Sequence, residues 1–238
     1  MRNSVGPVTP PLMLFAAGFG TRMGLLTADQ PKPLVRVAGR ALIDHALDVV
    51  AAAGVTTVVV NLHYRGDQVI DHLKDRRIQF SWERDVILET GGGLRAALPL
   101  LHGNPVLTLN SDVVWTGPNP LVHLLAQWDP AKMDALLMVM PITQARRDRG
   151  DFALGTDGRI SRGQGGEDHL YLGAQLLCTE GLADLPEGAF SLNLLWDRLI
   201  ESGRAFGVVH KGGWCDVGHP AGIVEAEALL KGAHVSQD

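Results

Sequence analysis

Two glycines and two cations lie close together near the start of the chain. An apolar run leads into Ala16-Ala17-Gly18-Phe19-Gly20-Thr21-Arg22-Met23, and Pro31-Lys32-Pro33-Leu34 follows shortly after it. Glycines directly behind a buried strand allow backbone N–H groups to approach an anion, and Arg22 and Lys32 supply the positive charge that a triphosphate needs. The segment predicts a nucleotide ligand, and the alternative is a plain glycine-rich turn with two solvated cations.

The spacing of these glycines excludes two commoner phosphate-binding motifs. Gly18-Phe19-Gly20 is followed by a glycine at position 24 and not 23, so the segment misses the dinucleotide fingerprint. The sequence contains no Gly-x-x-x-x-Gly-Lys-Ser/Thr, which excludes a P-loop. It also contains neither His-Glu-x-x-His nor Gly-x-Ser-x-Gly, so it offers no zinc-protease or serine-hydrolase signature.

Two aspartates stand at the ends of short apolar segments. Asp112 closes Asn110-Ser111-Asp112 behind a candidate strand, and Asp216 lies in Trp214-Cys215-Asp216-Val217-Gly218. Open α/β sheets bind ligands at the carboxyl ends of their strands, and nucleotide-bound magnesium commonly takes one or two carboxylates. Both aspartates are candidate magnesium ligands. The alternative is that each one caps the turn or helix that follows it.

A run of three glycines follows a charged residue in Glu89-Thr90-Gly91-Gly92-Gly93, ahead of a helical segment. Consecutive glycines cost backbone entropy on ordering, so the backbone must come very close to something at this point. The flat edge of a nucleobase is one candidate. A flexible hinge or a tight entry into the helix fits the same residues equally well.

Short apolar runs alternate with segments of helical period along most of the chain. The strand-like runs are residues 12–17, 55–61, 106–110 and 135–140. The helical segments are residues 41–53, 66–74, 92–101, 120–128, 192–202 and 220–230. This alternation predicts βαβ units and an α/β fold. Between residues 151 and 177 the helical period gives way to short β-like stretches, which predicts a β-rich lobe on the same domain.

Composition and charge limit the classes of protein and partner. The chain of 238 residues has 46% apolar residues, which predicts one domain over residues 12–232 with flexible segments at 1–11 and 233–238. A net charge of -5 without a local Lys/Arg run argues against a nucleic-acid partner. No apolar run approaches the ~20 residues that cross a bilayer, so we expect no membrane partner. Two isolated cysteines, Cys178 and Cys215, are typical of a reduced cytoplasmic protein.

Taken in order, these motifs resemble those of the sugar-1-phosphate nucleotidyltransferases. The resemblance rests on residues 16–23, 31–34, 89–92, 110–112 and 214–218, and it covers residues 12–232. It implies a single three-layer α/β/α Rossmann-like domain, whose mixed, mostly parallel sheet carries a small β-rich sugar-binding lobe. The implied reaction joins an NTP and a sugar 1-phosphate to give an NDP-sugar and pyrophosphate, with Mg²⁺ as the cofactor.

The family pattern implies a role for each matching residue. Arg22 and Lys32 would be catalytic residues that bind the transferred phosphates, and Asp112 and Asp216 would share the magnesium ion. The residues that would contact the nucleotide are Ala16, Ala17, Gly18, Gly20, Thr21, Glu89, Thr90, Gly91, Gly92 and Asn110, of which Thr90, Gly91 and Gly92 would touch the base. The residues that would face the sugar are Asp151, Gly173 and Asn193.

Within this family the compact length and the stretch Arg149-Gly150-Asp151-Phe152 most resemble the N-acetylmuramate-1-phosphate uridylyltransferases. The resemblance implies UTP as the nucleotide, N-acetylmuramate 1-phosphate as the acceptor, and a place in bacterial cell-wall recycling. Those enzymes have a lysine directly after the phenylalanine that matches Phe190, where this chain has Ser191. Two alternatives stay open: a mannose-1-phosphate guanylyltransferase, and a non-catalytic regulatory protein that binds nucleotide sugars.

Overall fold

A computed structural model of the protein describes residues 9–145, 147–162 and 167–235. Residues 1–8 of the predicted N-terminal extension and residues 236–238 of the predicted tail lie outside these ranges. The last helix continues to Val235, three residues into the segment that we predicted as a tail. None of the described helices combines the length and the apolar character that a bilayer span requires.

The strands and helices alternate as the apolar pattern predicts. The strands are β1 (Leu12–Phe15), β2 (Arg36–Val37), β3 (Arg40–Ala41), β4 (Val58–Leu62), β5 (Gln79–Trp82), β6 (Val106–Asn110), β7 (Val113–Trp115), β8 (Ala135–Pro141), β9 (Ala153–Leu154), β10 (Ile160–Ser161), β11 (His169–Leu177), β12 (Ala205–Val209) and β13 (Trp214–Asp216). The helices are α1 (Leu42–Ala52), α2 (Gly66–Leu73), α3 (Glu89–Leu101), α4 (Pro120–Gln127), α5 (Ile142–Ala145), α6 (Asn193–Glu201) and α7 (Pro220–Val235). Short 3₁₀ segments cover Thr21–Thr27, Lys32–Leu34 and Glu180–Leu182.

Seven strands form the central sheet in the order β12-β8-β11-β6-β1-β4-β5. All neighbouring pairs are parallel except those of β11, which runs antiparallel to both β6 and β8. The prediction of a mixed, mostly parallel sheet is confirmed. The chain builds from β1 outward through β4 and β5, then returns to the other side of β1 with β6. This reversal opens a crevice at the carboxyl ends of β1 and β6, where open α/β sheets bind ligands.

Helices cover both faces of the sheet and give it three layers. Along β1, Leu12 and Leu14 point to the face packed by α1, α2 and α4, while Met13 points to the face packed by α3 and α6. Side chains alternate between the two faces of a strand, so a strand buried on both faces is apolar throughout. A third apolar cluster joins α7 to the strand pair β7–β13 and to the segment around Met23.

The β-rich part that we predicted for residues 151–177 divides in two. Strands β9 and β10 form a small antiparallel pair, whereas β11 is a member of the central sheet. Residues 172–177 of β11 are buried on both faces, and this burial draws the strand into the core. The register of β11 against β8 shifts between Tyr171 and Gln175, so the strand bulges directly beside the crevice.

Candidate active site

Two cavities of ≈ 230 Å³ each lie in the crevice and share two residues, Asn110 and Asp112. The first, called the β1 cavity below, is lined by Phe15, Ala16, Ala17, Gly18, Asn61, Glu83, Ile87, Glu89, Thr90, Asn110 and Asp112. The second, called the β11 cavity, is lined by Arg22, Asn110, Asp112, Val113, Arg147, Leu170, Tyr171, Leu172, Gly173, Trp214 and Asp216. The arrangement can hold two ligands whose reacting ends meet at Asp112.

Lys32 and Asp112 form an ion pair at this junction. The Nζ of Lys32 lies 2.5 Å from Oδ2 of Asp112, and the Lys32 side chain is only 10% exposed. Lys32 begins the 3₁₀ segment Lys32–Leu34, while Asp112 lies two residues beyond the end of β6. A buried cation beside a strand-end carboxylate argues against the solvated cation that was the alternative for Lys32.

Asp216 comes to the same cavity from the strand pair β7–β13, where it lies opposite Val113 in the register. The backbone N–H of Val217 donates to the carbonyl of Asp112 at 2.9 Å, which ties the two aspartate segments together. Burial raises the pKa of Asp216, and the negative charge of Asp112 raises it further. Two crowded carboxylates of this type suit Mg²⁺, which binds in proteins through one or two carboxylates together with phosphate oxygens and water.

Arg22 reaches the same group of charges from the loop behind β1. A Cβ atom placed on Gly218 would lie 3.1 Å from Oδ2 of Asp216 and 3.3 Å from both terminal nitrogens of Arg22. The guanidinium and the carboxylate therefore both lie next to the Cα of Gly218. The positive charges of Lys32 and Arg22 lower the pKa of Asp216 and oppose the effect of its burial. All four predicted catalytic residues therefore meet at the β11 cavity or at its border.

The loop behind β1 offers its backbone to the β1 cavity. Within the described part of the chain, the N–H groups of Ala17, Gly18 and Phe19 donate to no protein acceptor. Further along, the carbonyl of Gly20 accepts from Met23 N–H at 2.9 Å and from the Thr27 hydroxyl at 3.0 Å, which fixes the turn. Free N–H groups on a fixed turn are the donors that an anion requires.

A chain of buried hydrogen bonds holds the floor of the β1 cavity. The N–H of Ala16 donates to Oδ1 of Asn61 at 2.7 Å, and Nδ2 of Asn61 donates to Oε1 of Glu83 at 2.7 Å. The other carboxylate oxygen of Glu83 accepts from the N–H of Leu88 at 2.6 Å, at the start of α3. Asn61 is 3% and Glu83 2% exposed. This chain, called the Asn61–Glu83 relay below, joins the phosphate loop to α3.

The glycines of Glu89-Thr90-Gly91-Gly92-Gly93 pack closely against another segment of the protein. Helix α3 begins at Glu89, so the glycines lie in its first turn and not ahead of it. The N–H groups of Gly91 and Gly92 both donate to the carbonyl of Phe190, at 2.8 and 3.1 Å. A Cβ on Gly91 would lie 2.3 Å from the Phe190 ring, so the close approach that the glycines allow is one to Phe190. Only Glu89 and Thr90 line the β1 cavity.

Asn110 and Gly173 face each other across the border of the two cavities. Gly173 has a φ of 87° in the bulge of β11, and a Cβ there would lie 2.7 Å from Nδ2 of Asn110. The indole N–H of Trp214 donates to the carbonyl of Leu172 at 2.9 Å and holds the bulge in place. Gly173 therefore makes room for the Asn110 amide and also lines the β11 cavity, where we predicted that it faces the sugar.

Two of the predicted sugar residues lie away from the β11 cavity. Asp151 lines a separate cavity of ≈ 490 Å³ together with Arg149, Gly150, Arg162 and Glu167, called the outer cavity below. The Asp151 carboxylate accepts from the N–H of Tyr171 at 2.9 Å, so it supports a wall of the β11 cavity from behind. Asn193 is the first residue of α6, and its Oδ1 accepts from Arg162 at 3.1 Å. Only Gly173 of the predicted sugar residues lines the β11 cavity.

Sequence reasoning missed Asn61, Glu83 and Arg147 as lining residues. Asn61 carried the same signal as Asn110, because each is the polar residue near the carboxyl end of an apolar strand. Glu83 follows the short strand β5, which has too little apolar pattern to mark its end. Arg147 stands among several arginines, and nothing in that stretch distinguishes the one that faces the cavity.

Comparisons with known proteins agree with this geometry. The family described as the MobA-like NTP transferase domain matches residues 12–232. The N-acetylmuramate alpha-1-phosphate uridylyltransferase of Caulobacter vibrioides is 45% identical over 92% of this chain and 96% of its own length. The enzyme of the same name from Neisseria meningitidis is 34% identical over 91% and 96%. The crystal structure of HddC from Yersinia pseudotuberculosis complexed with GMP-PN superposes with a TM-score of 0.75 at 22% identity, covering 93% of this chain and 99% of that one.

Proposed function

Because the chain belongs to the MobA-like NTP transferase domain family, we propose that it transfers a uridylyl group from UTP to N-acetylmuramate 1-phosphate and releases pyrophosphate. One observation carries the catalytic part of the proposal: two cavities share Asp112, Lys32 forms an ion pair with it, and Arg22 lines one of these cavities. The choice of uridine and of N-acetylmuramate rests on the two relatives with that name, which match most of the chain.

The nucleotide would occupy the β1 cavity and the acceptor the β11 cavity. The free N–H groups of Ala17, Gly18 and Phe19 would bind phosphate oxygens of UTP, and Arg22 would bind those of the leaving pyrophosphate. The sugar phosphate would then lie next to Asn110 and Asp112, within reach of Lys32. Alignment of this kind converts a bimolecular reaction between two anions into an effectively unimolecular one.

In the reaction, an oxygen of the sugar phosphate attacks the α-phosphorus of UTP. A new P–O bond forms there while the bond from the α-phosphorus to the bridging oxygen breaks, and pyrophosphate departs with that electron pair. A phosphate dianion is already nucleophilic, so no general base is required. Lys32 neutralises charge on the two phosphates that approach each other, and this stabilises the transition state. Magnesium bound by Asp112 and Asp216 would supply further positive charge to the same oxygens.

The test is a matrix of nucleotides and sugar phosphates in which released pyrophosphate is measured. We expect the highest kcat/KM for UTP with N-acetylmuramate 1-phosphate, and at least ~10-fold preference for UTP over GTP. A preference for GTP with mannose 1-phosphate would contradict both substrate assignments, whereas a preference for UTP with N-acetylglucosamine 1-phosphate would contradict only the sugar. Absence of pyrophosphate release with every pair would favour the non-catalytic alternative.

Magnesium dependence is tested in the same assay. Full activity in excess EDTA would contradict the metal role of Asp112 and Asp216. We expect EDTA to abolish pyrophosphate release and added Mg²⁺ to restore it, because the two crowded carboxylates and two phosphates leave excess negative charge at one point.

A further inference from the structure

We propose that Arg147 recognises a carboxylate on the acceptor sugar and thereby selects N-acetylmuramate 1-phosphate over the same sugar without its lactyl group. The inference rests on the proposed function and names a residue that the reaction described above does not use. It assigns a cation to an anionic acceptor in a chain whose residue after Phe190 is the uncharged Ser191.

The first support is that Arg147 is a cation of the β11 cavity to which the proposed reaction assigns no role, whereas Arg22, which also lines this cavity, is assigned to the pyrophosphate. Lys32 is paired with Asp112, and the guanidinium of Arg22 stands beside Asp216. Arg147 lines the same cavity and is exposed, and its guanidinium makes no ion pair or hydrogen bond with the described residues. The positive charge of Arg147 acts on Asp216, but none of the described residues holds its guanidinium by a hydrogen bond, so its donors are available to a ligand.

The second support is the position of Arg147 in the sheet. Arg22 comes from the loop behind β1, whereas Arg147 follows α5 at the end of β8, and β6 and β11 lie between these two strands. The phosphate of the acceptor would lie at Asp112 behind β6, and the sugar ring would then lie against residues 170–173 of β11, which line the rest of the cavity. Arg147 therefore enters the cavity from the side of β8, while its charge still reaches Asp216, and a substituent of the bound sugar would come within its reach.

The third support is chemical. The acceptor named by the relatives differs from N-acetylglucosamine 1-phosphate by a lactyl ether, which adds one carboxylate. That carboxylate would enter a cavity that already holds Asp112 and Asp216, so it needs a cation of its own. The planar guanidinium of arginine matches a carboxylate with two parallel hydrogen bonds, which a lysine ammonium cannot do.

The neighbouring arginines fit this role less well. Arg162 lies 3.1 Å from Asp197 and donates to Asn193, so α6 holds it in place. Arg149 lines the outer cavity, where the carboxylates of Asp151 and Glu167 stand nearby. Because Arg149 is only two residues from Arg147 and carries the same side chain, it serves as the matched control.

The experiment measures kcat/KM for two acceptors, N-acetylmuramate 1-phosphate and N-acetylglucosamine 1-phosphate, in the wild type and in Arg147→Gln, Arg147→Lys and Arg149→Gln. We expect Arg147→Gln to lose roughly 10- to 100-fold with the muramate substrate, the range for a hydrogen bond between charged groups. Its value with the glucosamine substrate should stay within about 2-fold of the wild type, because that acceptor lacks the carboxylate. Arg147→Lys should lie between, and Arg149→Gln should match the wild type with both acceptors.

Each other outcome has a definite meaning. Equal losses with both acceptors would show that Arg147 binds the phosphate, and a selective loss in Arg149→Gln would place the carboxylate in the outer cavity; either result overturns the inference. A wild type that prefers the muramate acceptor, together with an unchanged Arg147→Gln, also overturns the inference and leaves the proposed function standing. A wild type that does not use the muramate acceptor overturns both.

Discussion

The two halves of the crevice are built in different ways. The floor of the β1 cavity is a continuous chain of buried hydrogen bonds, in which Asn61 and Glu83 are almost fully covered. The β11 cavity is bordered by exposed cations, Arg22 and Arg147, and by a strand bulge whose Leu172 carbonyl accepts from the indole of Trp214. The buried hydrogen bonds fix the shape of the β1 cavity before a ligand binds, whereas the β11 cavity presents charged side chains to its ligand. A cavity of fixed shape suits the nucleotide that we propose for the β1 cavity. Charged side chains suit selection among acceptors that differ in charge, as we propose for the β11 cavity.

The largest expected effect lies where the two halves meet. Asp112→Asn and Asp216→Asn should each lower kcat by roughly 10²- to 10³-fold, the range for losing one group that stabilises a transition state electrostatically. The double variant should cost little more than either single one, because the two carboxylates act as a unit. Steady-state pyrophosphate release measures all three variants, with circular dichroism as the check on folding. Losses that multiply in the double variant would show that the aspartates act separately.

The second effect tests whether the β1 cavity is preformed by the Asn61–Glu83 relay. The two donors that meet Glu83 approach different oxygens, so a glutamine there must present its NH₂ group to one of them. Asn61 cannot compensate by turning its amide, because its oxygen already accepts from Ala16. We therefore expect Glu83→Gln to destabilise the fold by about 1–3 kcal/mol, the penalty for a buried unsatisfied polar group.

The kinetic signature separates this effect from a general loss of stability. Glu83→Gln should raise KM for UTP several-fold at a temperature where the variant is folded, and leave KM for the sugar phosphate unchanged. Glu187→Gln makes the same chemical change on an exposed side chain and is the matched control. Equal changes in both KM values would mean that the relay supports the whole crevice and not the β1 cavity alone.

The sequence predicts the parts of this molecule that depend on local pattern. Strand β6 has the predicted bounds, and Lys32, Asp112 and Asp216 are recognisable because charged residues interrupt apolar or glycine-rich segments. The part that depends on packing between distant segments could not be read in this way. Gly91 and Gly92 looked like a ligand loop, yet they meet Phe190, about a hundred residues later. The run of glycines indicates that something approaches the backbone closely, but the sequence does not show which segment of the chain, or which ligand, makes that approach.

Asp151 and Asn193 illustrate the same limit for the acceptor half. Both were assigned to the sugar by family resemblance, and the structure places them behind the wall of the β11 cavity and at the start of α6. Arg147, which lines the cavity, lies in a stretch without periodicity. Which of several arginines faces a cavity is decided by the path of the chain after β8, and no local pattern encodes that path.

The smallest expected effect concerns the bulge that shapes the β11 cavity. Gly173→Ala introduces a Cβ 2.7 Å from Nδ2 of Asn110 at a φ of 87°. Gly54 also has a positive φ, 69°, but nothing lies within 4 Å of a Cβ placed there, so Gly54→Ala reports the backbone strain alone. Each variant should lose about 1 kcal/mol through that strain, seen as a shift of a few degrees in Tm.

The difference between the two variants then isolates the contact with Asn110. In Gly173→Ala the Asn110 amide must move away from the bulge, and this residue borders both cavities. KM for the sugar phosphate should therefore rise by about 3- to 10-fold in Gly173→Ala, which corresponds to roughly 1 kcal/mol, and stay constant in Gly54→Ala. If instead KM for UTP rises more than KM for the acceptor, Asn110 belongs to the fixed half of the crevice. The border between the two halves would then run along β11 and not along β6.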